Sequence, residues 1–198
     1  MHYKFLDVGC KTGGSFTIAS KYGFTSEQGV GIDKDSACVE AFIKNGYNGI
    51  VGNATSIPFP DNTFELVIFS HVLEHMPDTQ EGYKALQECL RVCSKTLFVA
   101  LPYFDEDEYL KSLGFKTYYS DWSGHTNKIT LKALREFLYG YNYEIKMLKK
   151  IEDSNFEEII NYTDPKNTLK YDATIHKPKP YVKFNRDIWR EYHIIIKK

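Results

Sequence analysis

The sequence lacks an excess of charge of either sign. Its 198 residues contain 25 Lys and Arg against 26 Asp and Glu, for a formal net charge of -1. A protein that binds nucleic acid irrespective of sequence needs a basic face to neutralise phosphates. We therefore do not expect nucleic acid to be a partner of this chain.

Long apolar runs and a secretion signal are also missing. No apolar stretch approaches the ~20 residues that a membrane-spanning helix needs, and no signal peptide opens the sequence. These absences predict a cytoplasmic protein with no membrane span.

Cysteine is sparse, with four residues in the chain. Cys89 and Cys93 are spaced to share one helix face, but no Cys or His pair at metal-ligand spacing accompanies them. We interpret them as small buried side chains. The sequence thus predicts neither a disulfide framework nor a metal site.

The Gly-x-Gly-x-x-Gly pattern of dinucleotide-binding proteins is the last missing feature. The one glycine turn of comparable position is Gly9-Cys10-Lys11-Thr12-Gly13-Gly14, which has Lys11 in place of the second glycine of that spacing. Nothing in this turn is arranged for a pyrophosphate, which disfavours an NAD-dependent dehydrogenase.

The first half of the chain does contain a regular alternation of strands and helices. Short apolar runs predict strands at residues 3–8, 29–32, 49–51, 64–70 and 96–101, and helical spacing follows residues 15, 36 and 78. Asp35 or Ser36 is the expected N-cap of the second helix, and Asp78 is that of the third. Near-continuous apolar strands that alternate with helices are typical of a parallel sheet covered on both faces. We expect an α/β fold and one domain over residues 1–198.

The second half is less regular. Residues 103–128 and 154–187 show no clear period and are predicted to be irregular insertions. Between them, Thr130 caps a predicted helix that carries Leu131, Leu134 and Leu138, and a strand is expected at 141–150. A terminal strand is expected at 189–196.

The first two predicted strands end in residues suited to ligand binding. Gly9 and Gly13 allow the backbone to bend sharply and approach a ligand closely. Asp33 ends the second strand, where one carboxylate can accept hydrogen bonds from both hydroxyls of a ribose. Since parallel strands bind ligands beyond their carboxyl ends, these residues predict a nucleoside-binding site.

Several segments together resemble the Rossmann-like, class I S-adenosylmethionine-dependent methyltransferases. The matching segments run in order through residues 5–13, 31–33, 52–65, 70–75 and 91–102. The resemblance implies a three-layer sandwich with a mostly parallel, seven-stranded sheet whose last strand is antiparallel. It also implies S-adenosyl-L-methionine as the cofactor.

The resemblance assigns ten cofactor-binding residues. Those around the methionine part are Asp7, Gly9, Cys10 and Gly13. Those at the ribose and adenine are Asp33, Lys34, Asn53 and Ala54. Those beside the sulfonium are Ser70 and His71.

Two residues depart from the family pattern. Lys11 replaces the middle glycine of the first motif, and Asn53 replaces the usual adenine-binding Asp. The carbonyl oxygen of Asn53 is still able to accept a hydrogen bond from an adenine amino group. We expect the Lys11 side chain to leave the cofactor pocket.

Three histidines invite a catalytic role because imidazole titrates near neutrality. We interpret His75 as structural and His71 as part of the cofactor pocket. His125 follows the irregular segment that contains Trp122, and it is our candidate catalytic base. In the same segment, aromatic side chains are expected to enclose the acceptor, and Asp121 is expected to orient it.

The sequence thus predicts methyl transfer to an oxygen or nitrogen of a small-molecule acceptor. Residues 125–134 loosely resemble methyltransferases that act on sugars, polyketides and other metabolites, so the acceptor is expected to be a sugar, glycan precursor or other metabolite. Whether the protein forms a homodimer stays open. Two alternatives also stay open: a non-catalytic, methyltransferase-like binding module, which Lys11 favours, and the NAD-dependent dehydrogenase.

Overall fold

A computed structural model describes residues 3–198 and contains two sheets. The main sheet has the order β3-β2-β1-β4-β5-β9-β7. Its strands are β1 (Phe5–Val8), β2 (Gly29–Asp33), β3 (Gly49–Val51), β4 (Phe64–Ser70), β5 (Cys93–Pro102), β7 (Asn142–Asp153) and β9 (Lys183–Lys197).

Strand direction confirms the predicted topology. The pairs among β1 to β5 are parallel, whereas β9 lies antiparallel to both β5 and β7. Strand order reverses at β1, which lies between β2 and β4. Open α/β sheets bind ligands beside such a reversal, at the carboxyl ends of the strands.

Five α-helices accompany the sheet: α1 (Phe16–Lys21), α2 (Ser36–Lys44), α3 (Thr79–Val92), α4 (Asp107–Ser112) and α5 (Leu131–Phe137). Three of them begin where the sequence predicts a cap. Asp35, Asp78 and Thr130 each accept a hydrogen bond from a backbone N–H in the first turn of α2, α3 and α5.

The core has one apolar layer on each face of the main sheet. Alternating strand residues divide between the layers, so Leu6 packs with side chains of α3 and α5, and Phe5 packs with those of α1 and α2. Cys89 and Cys93 are free and buried in the first layer. The fold is therefore the predicted three-layer sandwich.

Both segments predicted to be irregular contain regular structure, so that prediction was wrong in part. Residues 103–128 include α4 and β6 (Phe115–Thr117), while residues 154–187 include β8 (Ile159–Asn161) and the start of β9. β6 and β8 pair antiparallel as a second, small sheet. β6 and β8 lie in segments without a clear period, and only their pairing with each other defines them.

Among residues 3–198, none of the helices combines the length and the apolar character that crossing a bilayer requires.

Candidate functional site

A cleft lies at the carboxyl ends of β1, β2 and β4, where the strand order reverses. We call it the main cleft, and its volume is about 280 Å³. Predicted site residues that line it are Gly9, Asp33, Lys34, Asn53, Ala54 and His71. Lys11, Val72, His75, Met76, Pro77 and Glu81 also line it. Six residues singled out from the sequence thus converge here from separate strands.

Two positions in the glycine turn after β1 leave no room for a side chain. Gly9 has a φ of 76°, and a Cβ atom there would lie 2.4 Å from Cγ2 of Val72. Gly13 has a φ of 99°, and a Cβ atom there would lie 2.5 Å from the Tyr47 ring. Left-handed backbone and tight packing together explain both glycines. The turn keeps the backbone close to the cleft.

Asp33 is half-buried at the end of β2 and faces the main cleft. Its Oδ2 accepts a hydrogen bond from the Lys11 N–H (3.1 Å), and its Oδ1 accepts one from the Asp35 N–H (3.1 Å). A carboxylate offers about four lone-pair directions, so each oxygen retains acceptor capacity. Asp33 is therefore held in place and still able to bind a diol.

Asp7 lies within β1 and is fully enclosed. Neither of its carboxylate oxygens has a hydrogen-bond partner among residues 3–198. Burial raises the pKa of Asp7 to about 7, and a weak contact with the Ser15 hydroxyl opposes that rise. Such an unpaired buried carboxyl attracts a cation bound nearby, although Asp7 does not line the main cleft.

Asn53 and Ala54 border the main cleft next to Lys34. The Oδ1 atom of Asn53 accepts hydrogen bonds from the N–H (3.1 Å) and the hydroxyl (3.1 Å) of Thr55. This oxygen therefore stabilises the loop of residues 53–55. An adenine amino group would compete with Thr55 for it.

Lys11 is exposed and lines the main cleft. Its φ is 41°, in the left-handed region that side chains other than glycine seldom adopt. Its N–H bond to Asp33 explains why the chain holds this conformation.

Replacing Lys11 with glycine is expected to raise stability by up to ~1 kcal/mol, because glycine adopts a positive φ without steric cost. It is also expected to raise the affinity for S-adenosylhomocysteine modestly, by leaving the turn unhindered. Thermal unfolding and calorimetric titration of the variant measure the two effects. A tenfold loss of affinity would instead identify Lys11 as an anchor for the ligand.

Ser70 ends β4 and His71 follows it, and both border a second opening beside the glycine turn, which Cys10 also lines. His71 has a φ of 55°. Its Nδ1 contacts Oε1 of Glu74 (3.1 Å), and this hydrogen bond is the main reason that the pKa of His71 is raised. Gly13 lies apart from both openings, packed against Tyr47 and Phe42.

A further pocket adjoins the main cleft. We call it the side pocket; its volume is about 270 Å³, and it shares Lys11, His71 and His75 with the main cleft. Its remaining lining residues are Glu74, Pro102, Tyr118, Tyr119, Trp122, His125, Arg190 and Glu191. The two spaces therefore meet beside His71 and His75.

His125 lies in the wall of the side pocket. Its Nδ1 is 2.9 Å from the Tyr119 carbonyl oxygen, and its ring stacks on Trp122 with centroids 5.8 Å apart. Burial is the main cause that lowers the pKa of His125. The imidazole is thus neutral at pH 7 and able to accept a proton.

Only some of the aromatic side chains in residues 103–128 line the side pocket. Tyr118, Tyr119 and Trp122 line the side pocket as expected. Tyr103 borders a different surface groove, and Phe104 is buried behind the ring of His125.

Asp121 was expected to orient the acceptor, and that expectation was wrong. Asp121 pairs with Lys116, whose Nζ lies 2.8 Å from its Oδ2, and this pairing lowers the pKa of Asp121. Arg190 and Glu191, which no motif in the sequence singled out, instead reach the side pocket from β9.

Part of the chain matches a known protein family. The family model for a methyltransferase domain matches residues 6–99, which include the glycine turn, Asp33 and β4. Residues 6–99, slightly less than half of the chain, are thus similar to the class I S-adenosylmethionine-dependent methyltransferases.

Two curated relatives are methyltransferases. Ajmaline N-methyltransferase of Rauvolfia serpentina is 32% identical over 96 residues, which are 45% of this chain and 32% of that protein. The probable methyltransferase ltbC of Aspergillus luteorubrus is 31% identical over 142 residues, or 65% of this chain and 48% of that protein. The chain therefore matches less than half the length of either relative.

A solved structure confirms the fold along nearly the whole chain. The S-adenosylmethionine-dependent methyltransferase from Archaeoglobus fulgidus superimposes with a TM-score of 0.66 at 18% identity. The superposition covers 99% of this chain and 86% of that structure.

The described residues fit the cofactor of this family, S-adenosyl-L-methionine. Asp33 supplies acceptors to a ribose, and the glycine turn provides a backbone that a ligand can approach. The enclosed, unpaired Asp7 favours the positive charges of the cofactor's methionine part. The ten assigned contacts themselves stay predictions.

Proposed function

We propose that this methyltransferase transfers the methyl group of S-adenosylmethionine to an oxygen or nitrogen of a small-molecule acceptor. The observation that carries this proposal is the meeting of two spaces. The main cleft holds the residues suited to the cofactor, and the side pocket opens beside it at His71 and His75. A methyl donor in one space would then face an acceptor in the other.

The cofactor supplies a methyl group that its sulfonium charge already activates. The residues of the chain have two tasks, which are to align the acceptor with that methyl group and, for a hydroxyl acceptor, to remove a proton. His125 is neutral and faces the side pocket, so it is our candidate for the second task.

The shape of the side pocket favours a small acceptor. Its volume of about 270 Å³ lies near the lower end of the range for small-molecule sites. Tyr118, Tyr119 and Trp122 offer flat apolar surfaces, while Arg190 and Glu191 offer charged groups on one side. A polar metabolite with an apolar face, such as a sugar or a glycan precursor, matches this lining.

Calorimetric titration tests the cofactor part of the proposal. S-adenosylhomocysteine is expected to bind, and NAD is expected not to bind under the same conditions. Methyl transfer from a labelled donor to candidate sugars and other metabolites then tests catalysis. Binding of S-adenosylhomocysteine without transfer to any of a broad set of acceptors would favour the non-catalytic alternative. Preferential binding of NAD would overturn the proposal.

Replacing Trp122 or His125 with alanine is expected to leave S-adenosylhomocysteine binding intact and to reduce turnover. Loss of a positioned base typically costs 10²–10⁴-fold in rate, and Trp122 should affect KM more than kcat. Parent turnover should fall at acidic pH, where His125 is protonated, and should be constant above neutrality.

Matched controls for these variants line neither the main cleft nor the side pocket. Tyr139→Ala removes an aromatic ring that is 91% exposed, and His176→Ala removes a histidine stacked on Tyr171. Both should retain parental turnover. Full activity of the Trp122 and His125 variants on the true acceptor would show that the segment is structural.

A further inference from the structure

Three potential metal ligands meet at the boundary of the main cleft and the side pocket. Glu74, His75 and His125 each place a ligand atom within 4.8 Å of the other two. Glu74 and His125 line the side pocket, and His75 lines both spaces. Glu74 and His75 come from the turn after β4, whereas His125 comes from the segment before α5.

Both imidazoles are oriented so that Nε2 is the ring nitrogen available to a metal. The Nδ1 atom of His75 is 2.7 Å from the Gly124 carbonyl oxygen, and that of His125 is 2.9 Å from the Tyr119 carbonyl oxygen. A carbonyl oxygen accepts only, so each Nδ1 carries the proton and donates it. Each Nε2 is then left with its lone pair, the arrangement seen when a ligating histidine is oriented by the backbone.

Glu74 supplies the third ligand. Its buried carboxylate is also independent evidence that a cation binds here. The residue is only 1% exposed, and its Oε1 contacts Nδ1 of His71. Its Oε2 is fully buried and has no hydrogen-bond partner within residues 3–198. Burying an unpaired carboxylate oxygen is costly unless a cation or donor compensates it.

Hydrogen bonds fix the two segments against each other. The Asn127 N–H donates to the Glu74 carbonyl (3.0 Å), and its side-chain amide donates to the Leu73 carbonyl (3.0 Å). The Thr126 hydroxyl donates to the Met76 carbonyl (2.6 Å). The position of His125 relative to Glu74 and His75 is therefore held by the backbone on both sides.

We propose that Glu74, His75 and His125 bind a divalent transition-metal ion such as Zn²⁺ or Mn²⁺. Two imidazole nitrogens and one carboxylate form a ligand set that leaves coordination positions open. Ligand bonds of ~2.1 Å place ligand atoms ~3–4 Å apart, so small side-chain movements close the site. Mg²⁺ fits less well because it prefers oxygen ligands alone.

This proposal goes against our expectation from the sequence, which was that the chain has no metal site. That expectation considered only Cys and His pairs at fixed spacing. Here the third ligand comes from a distant segment, and only the fold brings it to Glu74 and His75.

The open coordination positions suit an acceptor oxygen, and this consequence rests on the proposed function. A hydroxyl bound to the metal would ionise more readily and lose its proton to solvent. Its lone pair would then form the new C–O bond as the S–C bond of the cofactor breaks, leaving S-adenosylhomocysteine. In that case His125 acts as a ligand, and the metal takes over the task of the base.

Titration of metal-free protein tests the site without cofactor or acceptor. The 198-residue chain is dialysed against chelator and then titrated calorimetrically with MnCl₂ or ZnCl₂ alone. We expect one tight site per chain and a higher melting temperature with metal. Glu74→Gln and His125→Asn should each weaken binding at least tenfold, because each removes a ligand. The control His176→Asn should bind like the parent.

The variants are checked by thermal unfolding of the metal-free forms, and His125→Asn serves as the second variant because that side chain is only half-buried. Co²⁺ absorption of the parent gives a separate readout, since visible bands report nitrogen and oxygen ligands directly. Parent protein that binds no metal beyond the level of weak surface contacts would refute the site. Parental affinity in folded Glu74→Gln and His125→Asn would also refute it.

Failure of the metal site and failure of the proposed function are distinguishable. Binding of S-adenosylhomocysteine is measured separately and needs no metal in either proposal. If metal binds and chelator abolishes methyl transfer, the metal acts in the reaction. If metal binds but no transfer to any acceptor is found, the site stands and the proposed function fails.

Discussion

Replacing Asp33 with alanine is expected to weaken binding of S-adenosylhomocysteine by ~2 kcal/mol, or about 30-fold. The variant removes the carboxylate that faces the main cleft and that is positioned for the ribose hydroxyls. It also removes the acceptor of the Lys11 N–H, which helps to hold the glycine turn in its left-handed conformation. Both losses act on the same ligand. Calorimetric titration measures the combined effect.

Asp35→Ala is the matched control for this prediction. Asp35 is exposed, caps α2 through the Ala37 N–H (2.9 Å) and does not line the main cleft. Its removal should lower the melting temperature, as loss of a cap does, and leave ligand affinity unchanged. If Asp33→Ala is folded and binds as tightly as the parent, the ribose assignment is wrong.

Replacing Asp7 with asparagine is expected to change how stability depends on pH. Burial raises the pKa of Asp7 from 3.8 to about 7, so the folded state holds this proton more tightly than the unfolded state. Between these two pH values the folded protein binds more protons, and stability therefore falls as pH rises. The loss attributable to Asp7 reaches ~4 kcal/mol above pH 7, since one pKa unit corresponds to ~1.4 kcal/mol.

Chemical denaturation of both proteins between pH 4 and pH 8 measures this effect. The free energy of unfolding of Asp7→Asn, relative to the parent, should rise across that range, because asparagine does not titrate. Burial of the amide offsets part of the gain at every pH alike. A difference that stays constant with pH would contradict the raised pKa.

The same substitution is expected to remove a pH dependence of cofactor binding. S-adenosylhomocysteine carries an ammonium group, which favours the ionised form of Asp7 beneath the glycine turn. Parent affinity should therefore rise from pH 6 to pH 8, while the affinity of Asp7→Asn should change little. An equal rise in both proteins would place the titrating group elsewhere.

Elements of the main sheet that carry a strong local pattern were predictable. Gly49–Val51 and Phe64–Ser70 were predicted with the bounds that the structure has, and Asp35, Asp78 and Thr130 cap helices as expected. β6 and β8 were missed because they lie in segments without a clear period, and each is defined only by its pairing with the other. β9 begins at Lys183, six residues before the predicted strand, because pairing with β7 extends it.

Some residues of the candidate site were likewise predictable from the sequence, and others were not. The glycine turn, Asp33 and His71 immediately follow or end strands, so their convergence follows from the shared carboxyl edge of parallel strands. Arg190 and Glu191 come from the middle of an antiparallel strand and match no motif. Their place in the side pocket depends on β9 lying beside β5.

The sequence by itself determined the α/β alternation, the edge of the sheet where the main cleft lies and six of the residues that line it, because these depend on local periodicity and on strand ends. Only the tertiary structure decided three other features. It buried Asp7 without a partner, which raises its pKa; it paired Asp121 with Lys116; and it brought His125 to Glu74 and His75. Desolvation and the geometry of contacts between distant segments decide such features, and no local pattern encodes either one.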